Sequence, residues 1–374
     1  MDKKPRILLV IDEANVGGGQ RHVLWLAEGL VRDGYEIAVA CERQGYLVDE
    51  LRSIGIRHLP VDLGNHFSAK SLFHLIRLIR EFDPTIVHTH GGTAGVYGRI
   101  AARYLNRTTV HTYHGIHYLH FEAGWMKRIY LFLEQFLLRW TDATICVANS
   151  DLHLALSHNL AKHARAFVVV NGINARQFGP SAEPSKRKRV SNRRVTVIGT
   201  IGRLHEQKGH RYLIQAAGEI AKLSAPIEFR IVGDGNLRSE LELQVQTLGL
   251  QNVIRFLGSR TDITAQLAQM DLFVLPSLWE GLPLVLLEAM SAGVPIIASN
   301  VDGVSEILED GKDALLVPPR DPHTLAMAIV KLIRNKKEAR HLATNALRKI
   351  SKRFDVKDMV RQTERVYRTI LKSS

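Results

Sequence analysis

Cysteine is scarce. Cys41 and Cys146 are the only two in 374 residues. Both lie in apolar runs that read as buried strands, so they are expected to be reduced packing residues of a cytoplasmic chain, not a disulfide. No apolar run approaches the roughly 20 residues of a bilayer-spanning helix. The start, MDKKPRILLVIDE, meets acidic residues after one short apolar run. That run reads as a strand, and no secretion leader is expected. Acidic residues are in deficit, 37 against 50 Lys and Arg, a net charge of +13. Such a surplus permits nucleic acid, an anionic membrane or an anionic small substrate as partner, and says nothing about fold. There is no short internal repeat and no Asp-x-Asp pair.

What is present alternates from end to end. In the first half, RILLVI, EIAVAC, TIVHTH, TVHTYH, ATICVA and AFVVV read as strands. In the second, VTVIGTIG, IEFRIVG, VIRFLG, DLFVLPS, VPIIAS and ALLVPP do so. Helical patterns fall over 20–32, 71–81, 94–105, 124–139, 209–223, 237–248, 282–292 and 323–334. Strands without clean polar alternation are buried on both faces, which predicts parallel sheets covered by helices: a doubly wound α/β fold. The length allows two such domains, 1–178 and 195–350, joined by a polar basic linker over 179–194. The run Lys186 to Arg189 resembles a nuclear address but suits a solvated linker better. The tail 351–374 reads as one amphipathic helix and is a candidate for packing back on the first domain. In two facing domains of this type, ligand binds at the carboxyl ends of the strands.

Glu280 and Glu288 flank seven residues in SLWEGLPLVLLEAMSAGVPIIAS. Glu280 ends a polar turn; Gly281 frees the backbone; Pro283 suits a first helical turn. Glu288 is expected about two turns into the apolar helix that follows. A solvated loop glutamate and an ion-paired helix glutamate would look the same at this spacing. The apolar surroundings argue for more, because an unpaired carboxylate there is costly. With the free N–H groups and positive end of the helix, the pair suits a sugar joined to a nucleoside diphosphate.

VTVIGTIGRLHEQKGH ends a buried strand at Gly202 and sets Arg203 and Lys208 in the next loop. They are either surface cations or a clamp for a diphosphate, a planar fork beside a mobile point charge. In the first half, Gly17, Gly18 and Gly19 follow strand one. They do not make G-x-G-x-x-G, so no dinucleotide fingerprint is supported. A flexible turn and a close approach to ligand both remain open. His111, His114, His117 and His120 recur every three residues. The strand–loop character of HTYHG argues against one metal-binding face, and no metal is expected.

The ordered set GR-x4-KG, VGDG, E-x7-E, SAGVPIIAS, and Gly303 with Glu306 in VDGVSEI resembles the family-4 retaining glycosyltransferases of GT-B fold (glycosyl transferases group 1). The match is close over 195–320 and looser elsewhere. The resemblance implies two Rossmann-like domains facing across a cleft. It implies transfer of a sugar from a nucleotide-diphosphate sugar to a hydroxyl acceptor with retention, in the assembly of cell-envelope polysaccharide or glycolipid. Arg203 and Lys208 would hold the diphosphate, Glu280 the sugar hydroxyls and Glu288 the ribose. Gly281 and Leu282 would offer N–H groups, and Gly233 would line the nucleotide side. Gly18 and Gly19 would border the phosphates and acceptor, and His114 would touch the transferred sugar or acceptor hydroxyl. Arg203, Lys208, Glu280 and His114 are the catalytic candidates. The missing Asp-x-Asp implies that no metal cofactor is needed. Alternatives are an epimerase or inverting transferase on the same fold, and a basic nucleic-acid-binding protein, for which no motif is present.

Segment 119–140 carries Trp125, Lys127, Arg128, Tyr130, Phe132, Phe136 and Trp140. It fits either a core helix with rim aromatics or a helix lying on an anionic leaflet, on the inner face of the cytoplasmic membrane, near a lipid-linked acceptor.

Overall fold

The computed structural model describes residues 5–64, 68–120, 124–179, 189–190, 193–221 and 226–372. The chain forms two compact units, 1–172 with 356–374, and 173–355.

The first unit runs β1 (Arg6–Ile11), α1 (Gly18–Arg32), β2 (Glu36–Cys41), α2 (Tyr46–Ser53), β3 (Arg57–Pro60), α3 (Ala69–Phe82), β4 (Ile86–His90), α4 (Gly92–Tyr104), β5 (Thr108–Tyr113), α5 (Gly124–Leu137), β6 (Ala143–Cys146), α6 (Asn149–Ser157) and β7 (Ala166–Val168). All seven strands are parallel, in the order β3-β2-β1-β4-β5-β6-β7. The order reverses between β1 and β4. Strands buried on both faces explain the continuous apolar runs: Ile7 to Val10 have no exposed surface. Leu8 and Val10 pack with Leu75, Ile79 and Phe82 of α3 and with Tyr97 and Ala101 of α4. Cys41 and Cys146 are free and buried at strand ends, and burial pushes the Cys41 thiol up to about 12.

The second unit holds a short antiparallel pair, β8 (Arg189–Val190) with β9 (Arg193–Arg194), then β10 (Thr196–Ile201), α7 (His210–Ile220), β11 (Ile227–Val232), α8 (Arg238–Thr247), β12 (Ile254–Phe256), α9 (Ile263–Ala268), β13 (Leu272–Leu275), α10 (Leu284–Ser291), β14 (Ile296–Ser299), α11 (Asp302–Ser305), β15 (Leu315–Val317), α12 (Pro322–Arg334) and α13 (Lys336–Arg353). Its six main strands are parallel, in the order β12-β11-β10-β13-β14-β15, with the reversal between β10 and β13. Ile198, Phe229 and Ile231 pack with Leu213, Ile214 and Ala217 of α7, Leu241 of α8 and Ile329 of α12.

The unit boundary lies at Gly172/Ile173, ahead of the expected 179–194 linker, most of which falls outside the described residues. Residues 173–178 are bound into the second unit: the Ile173 N–H donates to Phe354 O (2.8 Å), and Ser291 Oγ donates to Ala175 O (2.8 Å).

The last helix, α14 (Val356–Lys372), belongs to the first unit. It buries Met359, Val360, Thr363, Val366, Tyr367 and Ile370, a stripe at helical spacing. Gly29 of α1 faces Val360 so closely that a Cβ there would overlap the valine methyls. Tyr35 Oη donates to Glu364 Oε1 at 2.8 Å.

Candidate functional site

Open α/β sheets leave a crevice beyond the strand ends where the order reverses. In the second unit that point lies between β10 and β13, and Lys208 and Glu280 meet there. Lys208 Nζ is 2.6 Å from Glu280 Oε1, with 15% and 5% of the two side chains exposed. Ser277 Oγ donates to the same oxygen at 2.6 Å, and Gln207 Nε2 donates to Oε2 at 3.3 Å. Three donors thus fix one carboxylate and leave the ammonium two further N–H groups to give.

The backbone brings these side chains together. Gly209 adopts φ 61°, and a Cβ there would overlap the Pro276 carbonyl oxygen. Only glycine lets the loop after β10 lie against the loop after β13. The Leu278 N–H then donates to Gln207 O at 2.7 Å. A Cβ on Gly303 would overlap Gly281 O, so the start of α11 lies directly against the Glu280 loop. Buried His210 donates from Nε2 to Arg203 O (3.1 Å) and ties that loop to α7. Burial lowers its imidazole to about 4, with Lys208 a smaller cause in the same direction.

Arg203 is exposed on the same loop as Lys208. Gly281 and Leu282 are buried just before α10. Pro283 is the N-cap of α10, with ψ 113°, and not a first-turn residue; the extended backbone of the Glu280 turn persists through it. Glu288 is therefore the fifth helical residue, little more than one turn in, and has no exposed surface. Gly233 (φ 138°) gives its N–H to Gly258 O at 2.8 Å and lies against Gly202 O. Its role is at least that of a tight turn. In the first unit Gly17 is the extended N-cap of α1, while Gly18 and Gly19 form its first turn. The glycine segment is a helix start and not a free loop.

The first unit's own reversal point, between β1 and β4, holds a group of histidines. His111 lies in β5, buried, with Nδ1 2.8 Å from Thr89 Oγ1. His114 follows β5 and is half-buried; His120 is exposed. The His117 side chain lies outside the described residues. Within that run His111 is engaged by Thr89. Two others join His114. His90 ends β4, and its Nδ1 is 3.1 Å from His114 Nε2. His22 of α1 packs on His114 with ring centroids 4.7 Å apart and places Nδ1 2.8 Å from Asn171 Oδ1. One ring nitrogen from each of His22, His90 and His114 lies within 4.8 Å of the others. Behind them His88 bridges Tyr367 Oη (2.6 Å) and Thr112 Oγ1 (2.7 Å). Burial holds His22 at about 4 and His90 well below its ordinary range. A hint was available in TIVHTH and TVHTYH, because parallel pairing of those runs sets His90 beside Thr112.

On the opposite side of β5, Arg99 donates to both oxygens of Glu134 at 2.8 Å, and Tyr113 Oη donates to Glu134 at 2.8 Å. This buried network anchors α5. Trp125, Arg128, Ile129, Phe132 and Phe136, at helical spacing, face outward, with Trp125 67% and Phe132 72% exposed. No helix among the described residues is long and apolar enough to cross a membrane.

The chain matches the family profile Glycosyltransferase Family 4 over residues 16–177 and Glycosyl transferases group 1 over 195–335. It is 32% identical over 363 residues, 94% of each chain, to the UDP-Gal:alpha-D-GlcNAc-diphosphoundecaprenol alpha-1,3-galactosyltransferase of Escherichia coli. It is 30% identical over 370 residues, 96% of this chain and 94% of the other, to the phosphatidyl-myo-inositol mannosyltransferase of Mycobacterium leprae. Among solved structures, HepE of Anabaena in complex with UDP and glucose superposes with TM-score 0.85 at 23% identity, covering 98% of this chain and all of that one. Sucrose-phosphate synthase of Thermosynechococcus elongatus gives 0.83 at 21%, covering 99% and 100%. These likenesses show the GT-B fold. With the matched profiles and the curated relatives, they show that the chain belongs to the family-4 glycosyltransferases.

Proposed function

We propose that this glycosyltransferase moves a hexose from a uridine-diphosphate sugar to a hydroxyl of a lipid-diphosphate-linked sugar, with retention of configuration and without a divalent cation. The observation that carries the reading is the Lys208–Glu280 pair at the β10/β13 reversal, buried and fixed by Ser277 and Gln207. As the glycosidic bond breaks, negative charge builds on the leaving diphosphate and positive charge on the sugar ring. Lys208 and Arg203 meet the first, with the N–H groups of Gly281, Leu282 and the start of α10. Glu280 accepts from sugar hydroxyls while holding Lys208 in place, and Glu288 takes the ribose. No enzyme nucleophile is assigned. Attack from the departing face, with a diphosphate oxygen removing the acceptor proton, forms the new C–O bond as the old one breaks. His114 contacts the transferred sugar or acceptor hydroxyl, and the N-terminal turn of α1 at Gly18 and Gly19 borders the donor phosphates and acceptor. The lipid-linked acceptor follows the substrates named for the Escherichia coli and Mycobacterium leprae relatives.

The test is transfer from a panel of UDP-hexoses to GlcNAc-diphosphoundecaprenol in excess EDTA, with the anomeric coupling of the product read by NMR. An α-linked product from an α-donor, undiminished by EDTA, is expected. A β-linked product overturns retention, strict Mg²⁺ dependence overturns metal independence, and hexose epimerisation without acceptor overturns transfer.

The outward stripe of α5 favours cytoplasmic residence with peripheral docking on the inner leaflet. Wedge-like aromatics beside Arg128, on a protein of charge +13, suit an anionic surface. Co-sedimentation with vesicles containing phosphatidylglycerol, but not with phosphatidylcholine alone, is expected. Trp125→Ser with Phe132→Ser should weaken it about tenfold; undiminished sedimentation would sink the docking.

A further inference from the structure

We propose that His22, His90 and His114 form a three-imidazole site for one transition-metal ion of the zinc class, separate from any hard cation on a diphosphate. The rings come from α1, the end of β4 and the segment after β5, and one nitrogen from each lies within 4.8 Å of the other two. Two imidazole nitrogens on one tetrahedral zinc stand about 3.3 Å apart, from bonds of about 2.0–2.1 Å. His90 Nδ1 and His114 Nε2 already stand at 3.1 Å.

The proton arrangement also fits. The Asn171 Oδ1 atom can only accept, so the His22 Nδ1–H donates to it and Nε2 carries the lone pair. A ligating histidine commonly has its second nitrogen tied in this way. His90 Nε2 is buried with no hydrogen-bond partner among the described residues. When an ion enters between His90 Nδ1 and His114 Nε2, the proton they share moves to the outer nitrogen of its own ring. Each ring stays neutral and no proton is released. His22 and His90 are buried and His114 is only half-buried, so the fourth coordination position opens on the His114 side. Three neutral nitrogens without a carboxylate select zinc, cobalt, nickel or copper over magnesium, calcium or manganese.

Occupancy withdraws the His114 ring from the sugar or acceptor. Zinc should therefore inhibit transfer reversibly, a consequence that rests on the role proposed for His114, whereas binding itself does not.

The test uses tag-free full-length protein titrated with Co²⁺ and followed by visible d–d absorption, then back-titrated with Zn²⁺. One equivalent with a tetrahedral-type spectrum is expected. His22→Gln or His90→Gln should weaken it at least tenfold, and His120→Gln should leave it intact. No d–d band, or equal loss in His120→Gln, overturns the site. Should the buried variants fail to fold, X-ray absorption of the wild-type zinc form decides: three imidazole nitrogens support the site, one or none overturns it. Inhibition by Zn²⁺ that EDTA reverses supports the consequence. Binding without inhibition keeps the site and removes the role of His114. EDTA-resistant transfer with no bound cobalt keeps the transferase reading and removes the site.

Discussion

Lys208 and Glu280 are 72 residues apart in the chain and 2.6 Å apart in space. A cation after one strand and a carboxylate before a helix were legible from residue type and spacing, because both lie at the carboxyl end of a parallel sheet. That they bind each other was not, since it depends on Gly209 allowing two loops to touch. The histidine trio was hidden for the same reason: no local spacing links His22 to His90, and only strand order joins them. If Lys208 stabilises the leaving diphosphate, Lys208→Ala should lower kcat about a hundredfold, the usual effect of deleting one charge-stabilising donor. Arg203→Ala should do likewise. Lys208→Ala also strands a nearly buried carboxylate, a loss of about 3–5 kcal/mol for a fully buried pair and less where Ser277 and Gln207 still donate. Arg203 is exposed, and an exposed cation contributes little to stability. A large kcat loss in Arg203→Ala at unchanged melting temperature therefore isolates the chemistry, and near-wild-type turnover in both variants removes the clamp. His210 gives a pH prediction. Its folded value of about 4 lies below the unfolded value near 6.5, so between these pH values the unfolded chain binds more protons. The stability tied to its neutral ring is full above that window and drains as pH falls from 6.5 toward 4. His210→Gln keeps an N–H donor but cannot titrate. Urea titrations at successive pH should show the wild type losing up to about 1.4 kcal/mol per pH unit relative to the variant. A constant difference would mean that the ring takes up its proton in the fold as readily as in the unfolded chain.

Among elements, long periodic segments were readable and short ones were not. Helices α1, α3, α4, α5, α7, α8, α10 and α12 lie within a few residues of the sequence expectation; most repeat an apolar stripe, α10 is apolar nearly throughout and buried on every side, and α8 buries only Leu241 and Val245. Strand β3, RHLP, has too few apolar residues to register, and α9 and α11 are too short for a period. Helix α13 hides its stripe differently: Ala339, Leu342, Ala343, Ala346 and Ile350 are buried at helical spacing, but three of the five are alanine among many charges. Helix α14 was legible as amphipathic, and what it covers is now visible: the small residue Gly29 lets it approach α1. Gly29→Ala should therefore destabilise the first unit by about 1–3 kcal/mol through overpacking, despite the better helix propensity of alanine. Val360→Ala alone opens a cavity, yet combined with Gly29→Ala it restores room for the new methyl. Chemical denaturation of the two single variants and the double should reveal coupling of at least 0.5 kcal/mol. Strict additivity would show that the two helices do not interlock there.

At the scale of the whole molecule, the chain completes its first unit only after it has built the second. Residues 173–355 are continuous, and their ends are pinned together by the pairing of Ile173 with Asp355 and the hydrogen bond from Ile173 N to Phe354 O. They own a hydrophobic core and the whole Lys208–Glu280 cluster. The first unit is discontinuous and takes its last helix from residues 356–372. Without α14, the Gly29 face of α1, Tyr35 and the buried His88 lose their covering side chains, a large apolar stripe for a domain of ordinary marginal stability. The two truncations should therefore behave oppositely. A 173–355 fragment should melt cooperatively, and UDP at a hundred times its dissociation constant should add about 2.7 kcal/mol to its stability. A 1–172 fragment should lack a cooperative melt, and adding the 356–374 peptide in trans should restore one. Differential scanning calorimetry of the fragments decides the matter. A stable 1–172 would show that α14 is dispensable to the first unit. A folded 173–355 that ignores UDP would show that the Lys208–Glu280 cluster alone does not make the nucleotide site.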